Sequence, residues 1–219
     1  MEEAEARTRL DVSRETLERL DHYVALLASE NGRQNLVSRS SLEHVWSRHI
    51  LDSAQLIRFA PETDVDWIDL GSGAGLPGMV VAMLHRRMMT LVENRPARAR
   101  FLVETVRALG LESQVTVLAC AAKTVPSRAF DVITARAFAP LGQLLAEGLR
   151  FAGPDTVWIL PKGRSAKSEL EAVRASWQGD FALEPSVTDT DAFIVVASNV
   201  RRARPARPGA ADMRAGIRT

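Results

Sequence analysis

The chain has 219 residues, 46% of them hydrophobic, and a mass of 24.0 kDa, which suits one globular domain with an appendage. No apolar run approaches the ~18–20 residues of a membrane span, the first residues are acidic, and the single cysteine excludes an internal disulfide framework, so we expect a cytoplasmic protein. The net charge is +1, yet segment 201–219 holds six arginines and one acidic residue, so the remaining chain is net negative and an anionic partner must meet local patches or this tail.

Helical periodicity dominates the chain before its first predicted strand. In residues 13–31 apolar side chains recur at spacings of three and four, which predicts an amphipathic helix, and Gly32 predicts its end. Ser40 and Glu43 have the spacing of a capping box, which predicts a second helix. We therefore expect an N-terminal helical appendage over residues 1–60.

The second helix carries a cluster of charged and titratable residues. Arg48 and Asp52 are four residues apart and His49 and Asp52 are three apart, so both pairs can touch on a helix surface. One interpretation is an Arg48–Asp52 salt bridge beside a partly buried His49. The other is that this helix edge faces the ligand site and offers cationic groups to a ligand or to RNA.

A short apolar run over residues 65–70 leads directly into a glycine-rich turn formed by Gly71, Gly73, Gly75 and Gly78. A strand that enters such a turn before a helix is the nucleotide-binding corner of an open α/β sheet, and Pro77 suits the start of that helix. The next predicted strand, 88–93, ends in Glu93, at the distance expected for an acid that holds ribose hydroxyls. The pattern fits both a dinucleotide site and the first motif of S-adenosylmethionine-dependent methyltransferases.

Strands and helices then alternate, which predicts a parallel sheet. The further strands are 114–119, 130–134 and 156–160, and the helices between and after them are 97–109, 141–151 and 165–177. Two final strands, 181–187 and 192–198, have no helix between them, so we expect a hairpin with one strand inserted antiparallel. This ending favours a methyltransferase over a NAD-binding domain.

Five stretches, in order and spacing, resemble the bacterial small-subunit ribosomal RNA guanine-N7 methyltransferases, also called glucose-inhibited division protein B. They are Asn35-Leu36-Val37-Ser38, Arg48-His49-Ile50-Leu51-Asp52-Ser53, Asp69-Leu70-Gly71-Ser72-Gly73-Ala74-Gly75-Leu76-Pro77-Gly78, Arg136-Ala137-Phe138-Ala139 and Lys162-Gly163. The likeness covers about residues 15–198. It implies a class I S-adenosylmethionine-dependent methyltransferase, with a Rossmann-like, seven-stranded, mostly parallel sheet and an antiparallel C-terminal hairpin. The implied reaction transfers a methyl group from S-adenosylmethionine to N7 of one guanine in 16S rRNA near the decoding site.

The resemblance also implies cofactor contacts, which map onto Gly71, Leu76, Ala121, Ala122 and Arg136. The position of Ala122 is usually acidic in the family, and Cys120 stands where arginine is common. An alanine at that position leaves backbone groups to hold the adenine.

Charge and position suggest further roles for residues at the site. Backbone N–H groups of the glycine turn, including Gly73, would lie near the methionine carboxylate, and Glu93 would accept hydrogen bonds from the ribose. Arg136 could pair with that carboxylate or with an RNA phosphate. The expected RNA contacts are Arg48, His49, Arg95 and Lys162. Guanine N7 has an unshared lone pair and needs no general base, so we expect positioning groups (Arg48, His49 and Arg136) and no metal site.

The expected partner is 16S rRNA or a precursor of the small ribosomal subunit, with no membrane contact and with the protein as a monomer. We expect a methyltransferase domain over residues 61–199 and a basic, disordered tail over 200–219. Three alternatives remain open: a methyltransferase of another RNA, a protein or a small molecule; an NAD(P)-binding oxidoreductase, although no Tyr-x-x-x-Lys motif is present; and a non-catalytic RNA-binding protein.

Overall fold

A computed structural model of the chain describes residues 2–62, 65–85 and 88–203. Within these residues seven strands form one sheet: β1 (Trp67–Leu70), β2 (Met89–Val92), β3 (Val115–Leu118), β4 (Phe130–Thr134), β5 (Ala152–Lys162), β6 (Trp177–Pro185) and β7 (Phe193–Arg202). Their order is β3-β2-β1-β4-β5-β7-β6, with β7 antiparallel to both of its neighbours and the other pairs parallel. The predicted mostly parallel sheet with an inserted antiparallel strand is confirmed.

The helices of the described residues precede and connect these strands. They are α1 (Glu3–Thr8), α2 (Arg14–Gln34), α3 (Arg39–Leu42), α4 (Asp52–Ala54), α5 (Gly78–Leu84), α6 (Pro96–Ala108), α7 (Leu141–Gly148) and α8 (Ala166–Val173). A π-helical turn spans Trp46–Leu51, and 3-10 turns span Gln55–Phe59, Ala122–Thr124 and Leu149–Phe151. Among the helices described, none has the length and apolarity needed to cross a bilayer.

The two faces of the sheet are covered by separate sets of helices. Side chains alternate along β1, so that Trp67 enters the core on one face while Ile68 and Leu70 enter the core on the other. The Trp67 face packs against α2, α5 and α6, and the opposite face packs against α7 and α8. Strand β1 pairs with β2, with Trp67 opposite Met89, and with β4, with Trp67 opposite Val132. From β1 the chain builds the sheet outward in one direction through β2 and β3, and then returns to add β4 on the other side of β1. Open α/β sheets bind ligands at the point where the strand order reverses in this way, here between β1 and β4.

Helix α2 joins the N-terminal appendage to the glycine turn. Its buried Leu20, Tyr23 and Leu27 belong to the same core as Met79 of α5. The Tyr23 hydroxyl donates a buried hydrogen bond of 2.9 Å to the Ala74 carbonyl oxygen in the glycine turn. The appendage and the sheet thus share one hydrophobic core.

The predicted boundaries of the N-terminal helices were wrong in two places. Helix α2 continues through Gly32 to Gln34, because the solvent-facing glycine breaks no packing, and Asn35 ends it with a left-handed φ of 43°. The predicted second helix is divided into α3, the π-helical turn, α4 and a 3-10 turn. Ser38, rather than Ser40, caps α3 by accepting a hydrogen bond of 3.1 Å from the Ser41 amide.

Helix α1 was not predicted, and it explains part of this division. The Glu3 carboxylate accepts hydrogen bonds from the amides of Trp46 at 2.8 Å and Ser47 at 3.1 Å. These amides therefore have a side-chain partner at the start of the π-helical turn. Sequence periodicity cannot reveal a cap whose acceptor, the Glu3 carboxylate, lies more than 40 residues away in the chain.

Two predicted boundaries near the C-terminus were also wrong. Helix α8 ends at Val173, and Trp177, predicted on its inward face, begins β6. Strand β7 continues past 198, the predicted end of the last strand, because Arg202 pairs with Trp177 across the hairpin and its guanidinium lies 4.5 Å from the indole centroid. Arg201 and Arg202, the first arginines of the tail predicted over 200–219, thus belong to the sheet, and the rest of that tail from 204 onward lies outside the described residues.

Candidate active site

Two cavities open at the carboxyl edge of the sheet. The smaller cavity, about 460 Å³, lies at the ends of β1, β2 and β3, and its lining includes Gly71, Glu93, Arg98, Ala121 and Ala122. The larger cavity, about 640 Å³, lies between the ends of β4 and β5, the π-helical turn and the β6–β7 loop. Its lining includes Arg48, His49, Asp52, Arg136, Lys162 and Asp189. Ala137 and Phe138, which follow β4, line both cavities.

The glycine turn shapes one wall of the smaller cavity. Gly71, Gly73 and Gly75 have φ values of 69°, 56° and 92°, which side-chain-bearing residues rarely adopt. A Cβ atom on Gly71 would overlap the ring of Phe138. The turn therefore requires glycine both for its backbone conformation and for its contact with Phe138.

Glu93 joins the end of β2 to the glycine turn. Its carboxylate is almost completely buried and accepts hydrogen bonds of 2.8 Å from the amides of Gly73 and Arg95. Each carboxylate oxygen has a second acceptor position, and the residue lines the smaller cavity. Glu93 can therefore support the turn and still accept hydrogen bonds from hydroxyl groups of a ligand.

Asp69, in the middle of β1, is a buried carboxyl group whose importance the sequence analysis missed. Its side chain is 0% exposed, and neither carboxylate oxygen has a hydrogen-bond partner within the described part of the chain. The nearby Ser72 hydroxyl donates instead to the Asp69 carbonyl oxygen at 2.9 Å. Burial raises the pKa of Asp69 to about 7, and the neighbouring Ser72, Gly78 and Arg136 offset that effect only in part. A cationic ligand group near the turn would stabilise the ionised form.

The remaining predicted residues of the smaller cavity lie at the end of β3 and the start of α6. Ala121 and Ala122 line it, and the Ala121 carbonyl oxygen accepts hydrogen bonds from the amide and hydroxyl of Thr124. Arg95, predicted as an RNA contact, also lies here, with an exposed side chain. Arg98 of α6 extends to within 3.6 Å of the position that a Cβ on Gly73 would occupy.

Arg136 lies on the larger cavity and is held by the N-terminal appendage. Its guanidinium donates to His49 Nδ1 at 3.2 Å and lies 3.4 Å from an Asp52 carboxylate oxygen. The Arg136 side chain is 20% exposed. Its planar, multiply bonded guanidinium is thereby fixed where an anion or a base edge in the larger cavity could meet it.

The predicted Arg48–Asp52 salt bridge was wrong, because both residues have partners far away in the sequence. Arg48 pairs with Asp189 of the β6–β7 loop at 2.8 Å, an ion pair whose side chains are 51% and 34% exposed. Asp52 instead accepts hydrogen bonds from Thr188 at 2.7 Å and from Arg136. These contacts join the appendage to the β6–β7 loop.

His49 does not supply the positive charge that was predicted for it. Burial, with the nearby charges of Arg136 and Arg48, lowers the pKa of His49 to about 3, so the imidazole is neutral near pH 7. Because Arg136 can only donate, His49 Nδ1 must be the acceptor, and Nε2–H then donates to the Ser41 hydroxyl at 3.0 Å. His49 therefore orients Arg136.

Lys162, at the end of β5, is engaged in internal contacts. Its ammonium group donates to the Ala139 carbonyl oxygen at 2.8 Å and to the Glu169 carboxylate at 2.9 Å, and the side chain is only 11% exposed. These bonds fix the segment that follows β4. A direct contact with a phosphate would require Lys162 to leave both partners.

With this geometry known, comparison with other proteins identifies the family. Residues 16–192 match the family described as rRNA small subunit methyltransferase G. The chain is 51% identical over 205 residues to the ribosomal RNA small subunit methyltransferase G of Rhizorhabdus wittichii, covering 92% of this chain and 94% of that protein. It is 44% identical to the protein of the same name from Zymomonas mobilis, covering 87% and 89%. The chain belongs to the rRNA small subunit methyltransferase G family.

Solved structures more distant in sequence have the same fold. The ribosomal protein L11 methylase of Lactobacillus delbrueckii subsp. bulgaricus superposes with a TM-score of 0.53 and 17% identity over 70% of this chain and 78% of that chain. A variant of MtNAS in complex with S-adenosylmethionine superposes with a TM-score of 0.56 and 19% identity over 90% and 84%. This member of the rRNA small subunit methyltransferase G family therefore has the predicted class I methyltransferase fold.

The structure divides the predicted site residues of this family member between the two cavities. Gly71, Glu93, Ala121 and Ala122 meet at the smaller cavity, whereas Arg48, His49, Arg136 and Lys162 meet at the larger one. Gly73 and Leu76 are absent from the described lining of both cavities: Gly73 acts through Glu93, and Leu76 is buried beneath the turn. Arg136, predicted to pair with the methionine carboxylate or with an RNA phosphate, lines the larger cavity.

Proposed function

We propose that this protein transfers a methyl group from S-adenosylmethionine to N7 of a guanine in 16S rRNA, as a monomer in the cytoplasm. The observation that carries the proposal is the pair of cavities that meet at Ala137 and Phe138. The smaller cavity is lined by the glycine turn and by Glu93, an acidic residue suited to binding ribose hydroxyls. The larger cavity is lined by Arg48 and Arg136. This arrangement suits a cofactor and an anionic substrate on either side of the end of β4, in a chain that belongs to an rRNA methyltransferase family.

The smaller cavity has the groups that S-adenosylmethionine requires. Glu93 would accept hydrogen bonds from the ribose hydroxyls, and Ala121 and Ala122 would pack against the adenine. The methionine end would lie toward Gly71. The Asp69 carboxyl, which has no hydrogen-bond partner among the described residues, is 0% exposed and outside the described cavity lining, so it would attract the ammonium group only through its charge and without direct contact. Arg98 is placed to pair with the methionine carboxylate. When bound, the cofactor supplies an electrophilic methyl group on a sulfonium.

The larger cavity would hold the target guanine and its adjoining phosphates. Guanine N7 carries its own lone pair, so the protein has to orient the base and need not remove a proton. This requirement agrees with a neutral His49 that positions Arg136. Arg48, about half exposed at the cavity rim, is the proposed phosphate contact, and Arg95 extends the basic rim beside the smaller cavity. Lys162 contributes by fixing the segment after β4.

The test uses 16S rRNA and small ribosomal subunits from a strain that lacks this protein. Each is incubated with the purified protein and methyl-labelled S-adenosylmethionine, and the labelled nucleotide is mapped. We expect one guanine to gain an N7 methyl group. Label that appears in protein, in a small molecule or at a nucleotide atom other than guanine N7 would contradict the proposed substrate. Failure to bind S-adenosylhomocysteine in calorimetry would contradict the cofactor.

A further inference from the structure

The two cavities adjoin at a short piece of chain, which forms a wall shared by both. Ala137 and Phe138 line both cavities, and they directly follow Arg136 at the end of β4. A methyl group on one side must reach a nucleophile on the other for the proposed reaction to occur. Some part of this wall must therefore open or carry the point of contact.

The Phe138 ring covers the glycine turn. Three of its ring carbons are the nearest atoms to the position that a Cβ on Gly71 would occupy, and the closest would overlap it. The ring thus lies directly on the backbone that a ligand of the glycine turn has to approach. The Phe138 side chain is only partly buried, so solvent-exposed space is available for a different ring position.

The chain on each side of this ring is fixed. Arg136 is held by His49 and Asp52, and the Ala139 carbonyl oxygen accepts a hydrogen bond from Lys162. Between these anchors Ala137 has a φ of 53°, a left-handed conformation that is unfavourable for an L-residue. Any opening of the wall would therefore be confined to Ala137 and Phe138.

Phe138 is also the better placed of the two aromatic residues in the described lining of the larger cavity. The other, Phe193 at the start of β7, has the Lys167 ammonium group 5.1 Å from its ring centroid. Phe193 is not one of the described residues that line the smaller cavity. A base stacked on Phe138 would lie beside the cofactor, whereas a base stacked on Phe193 would lie away from it.

We propose that Phe138 is a movable partition and the stacking platform for the target guanine. Its ring leaves Gly71 as S-adenosylmethionine enters the smaller cavity, and its face then packs against the guanine in the larger cavity, so that N7 is held beside the methyl group. This inference rests on the proposed function. Stacking on an aromatic ring is effective for any base, so Phe138 positions the guanine while polar groups of the cavity select it.

Three variants separate the two roles of the ring. Phe138→Ala removes the obstacle at Gly71, so we expect it to bind S-adenosylhomocysteine several-fold faster in stopped-flow measurements and at least as tightly in calorimetry. Phe138→Leu keeps an apolar side chain without an aromatic face, so we expect about a tenfold loss in kcat/KM for rRNA methylation with cofactor affinity little changed. Phe138→Tyr, which retains the face, should recover most of that loss.

Phe181→Leu is the matched control, because Phe181 is a partly buried residue of β6 outside the described lining of both cavities. It should change neither cofactor binding nor methylation. Unchanged cofactor association in Phe138→Ala would overturn the partition. Wild-type methylation in Phe138→Leu, or a larger loss in Phe193→Leu, would overturn the stacking role. If the wild-type protein binds no S-adenosylhomocysteine or methylates no rRNA, the proposed function itself fails, which is a separate result from these comparisons.

Discussion

The protonation of one buried residue, Asp69, affects the stability of the folded protein. Its pKa of about 7 in the folded protein is above the ordinary value of 3.8, because burial disfavours the charge. The folded state therefore keeps a proton that the unfolded chain releases between about pH 4 and pH 7. The stability that this proton contributes is fully present below pH 4 and is lost as the pH rises through 7.

Asp69→Asn should abolish this pH dependence in the cofactor-free protein. The variant should melt above the wild type at pH 8, and the difference should shrink toward pH 5, with an upper limit of about 4 kcal/mol at 1.36 kcal/mol per pKa unit. Thermal unfolding over this pH range measures the effect, with Asp155→Asn, at an exposed position of β5, as the control. Parallel pH profiles for wild type and Asp69→Asn would contradict a shifted pKa.

Substitution of Glu93 should weaken the binding of the cofactor rather than the binding of RNA. Glu93→Ala removes a carboxylate from the smaller cavity, and we expect S-adenosylhomocysteine binding to weaken by about 1–3 kcal/mol in calorimetry, the range for hydrogen bonds to a charged group. Glu93→Gln should lose less, because one amide oxygen can still accept from the Gly73 amide. Glu112→Gln, an exposed substitution after α6, serves as the control. Normal cofactor affinity with impaired RNA binding would contradict the ribose contact.

At the scale of elements, the π-helical turn and the β6–β7 loop are joined across the larger cavity by Arg48 and Asp189. Because this ion pair is largely exposed, its contribution to stability is at most ~1 kcal/mol. We therefore expect Arg48→Ala to fold normally and to bind S-adenosylhomocysteine with nearly wild-type affinity. Methylation should fall strongly if Arg48 contacts RNA.

The charge swap Arg48→Asp with Asp189→Arg distinguishes a structural from an RNA-binding role. The double variant can restore an ion pair between the two elements but moves the positive charge to the loop. We expect methylation to remain low, as in Arg48→Ala, when rates are measured at matched RNA concentrations and ionic strength. Recovery of the full methylation rate would show that the Arg48–Asp189 ion pair has a structural role, and it would contradict an RNA contact by Arg48.

For the whole molecule, the shared core connects the N-terminal appendage to the glycine turn of the proposed cofactor site. Tyr23 of α2 donates its hydroxyl to the Ala74 carbonyl oxygen, and both groups are buried. Tyr23→Phe leaves that oxygen without its donor, so we expect a loss of about 1–3 kcal/mol in unfolding free energy. Denaturant unfolding measures it, and calorimetry should show weaker cofactor binding as well. Unchanged stability and affinity would show that the appendage does not support the turn.

Local patterns in the sequence predicted the parts of the fold that depend on neighbouring residues. The glycine turn, the strand that ends at Glu93 and the helix-free final pair of strands follow from spacing and composition, and strand Phe130–Thr134 was predicted to the residue. The glycine pattern left NAD and S-adenosylmethionine as alternatives, and membership of the family decides between them.

The errors lie where distant residues determine the structure. Arg48 and Asp189 are 141 positions apart, and nothing in the spacing around Arg48 indicates that Asp189 will displace Asp52 as its partner. The cap that Glu3 provides and the buried, unpaired state of Asp69 likewise exist only once the chain is folded. For Arg48 a favourable local partner, Asp52, was available in the sequence, but the tertiary contact with Asp189 takes its place.

The position of β7 has a consequence for the order of synthesis. Residues 193–202 lie inside the sheet, between β5 and β6, although among the described strands they are the last to be synthesised. Strand β6 reaches the rest of the sheet through β7, so a nascent chain that stops before Phe193 has neither the inner strand nor a place for β6. The wall of the larger cavity on the β6–β7 side is completed at the same late moment. The side of this rRNA methyltransferase that would face its substrate can thus form only after residues 193–202 have been synthesised.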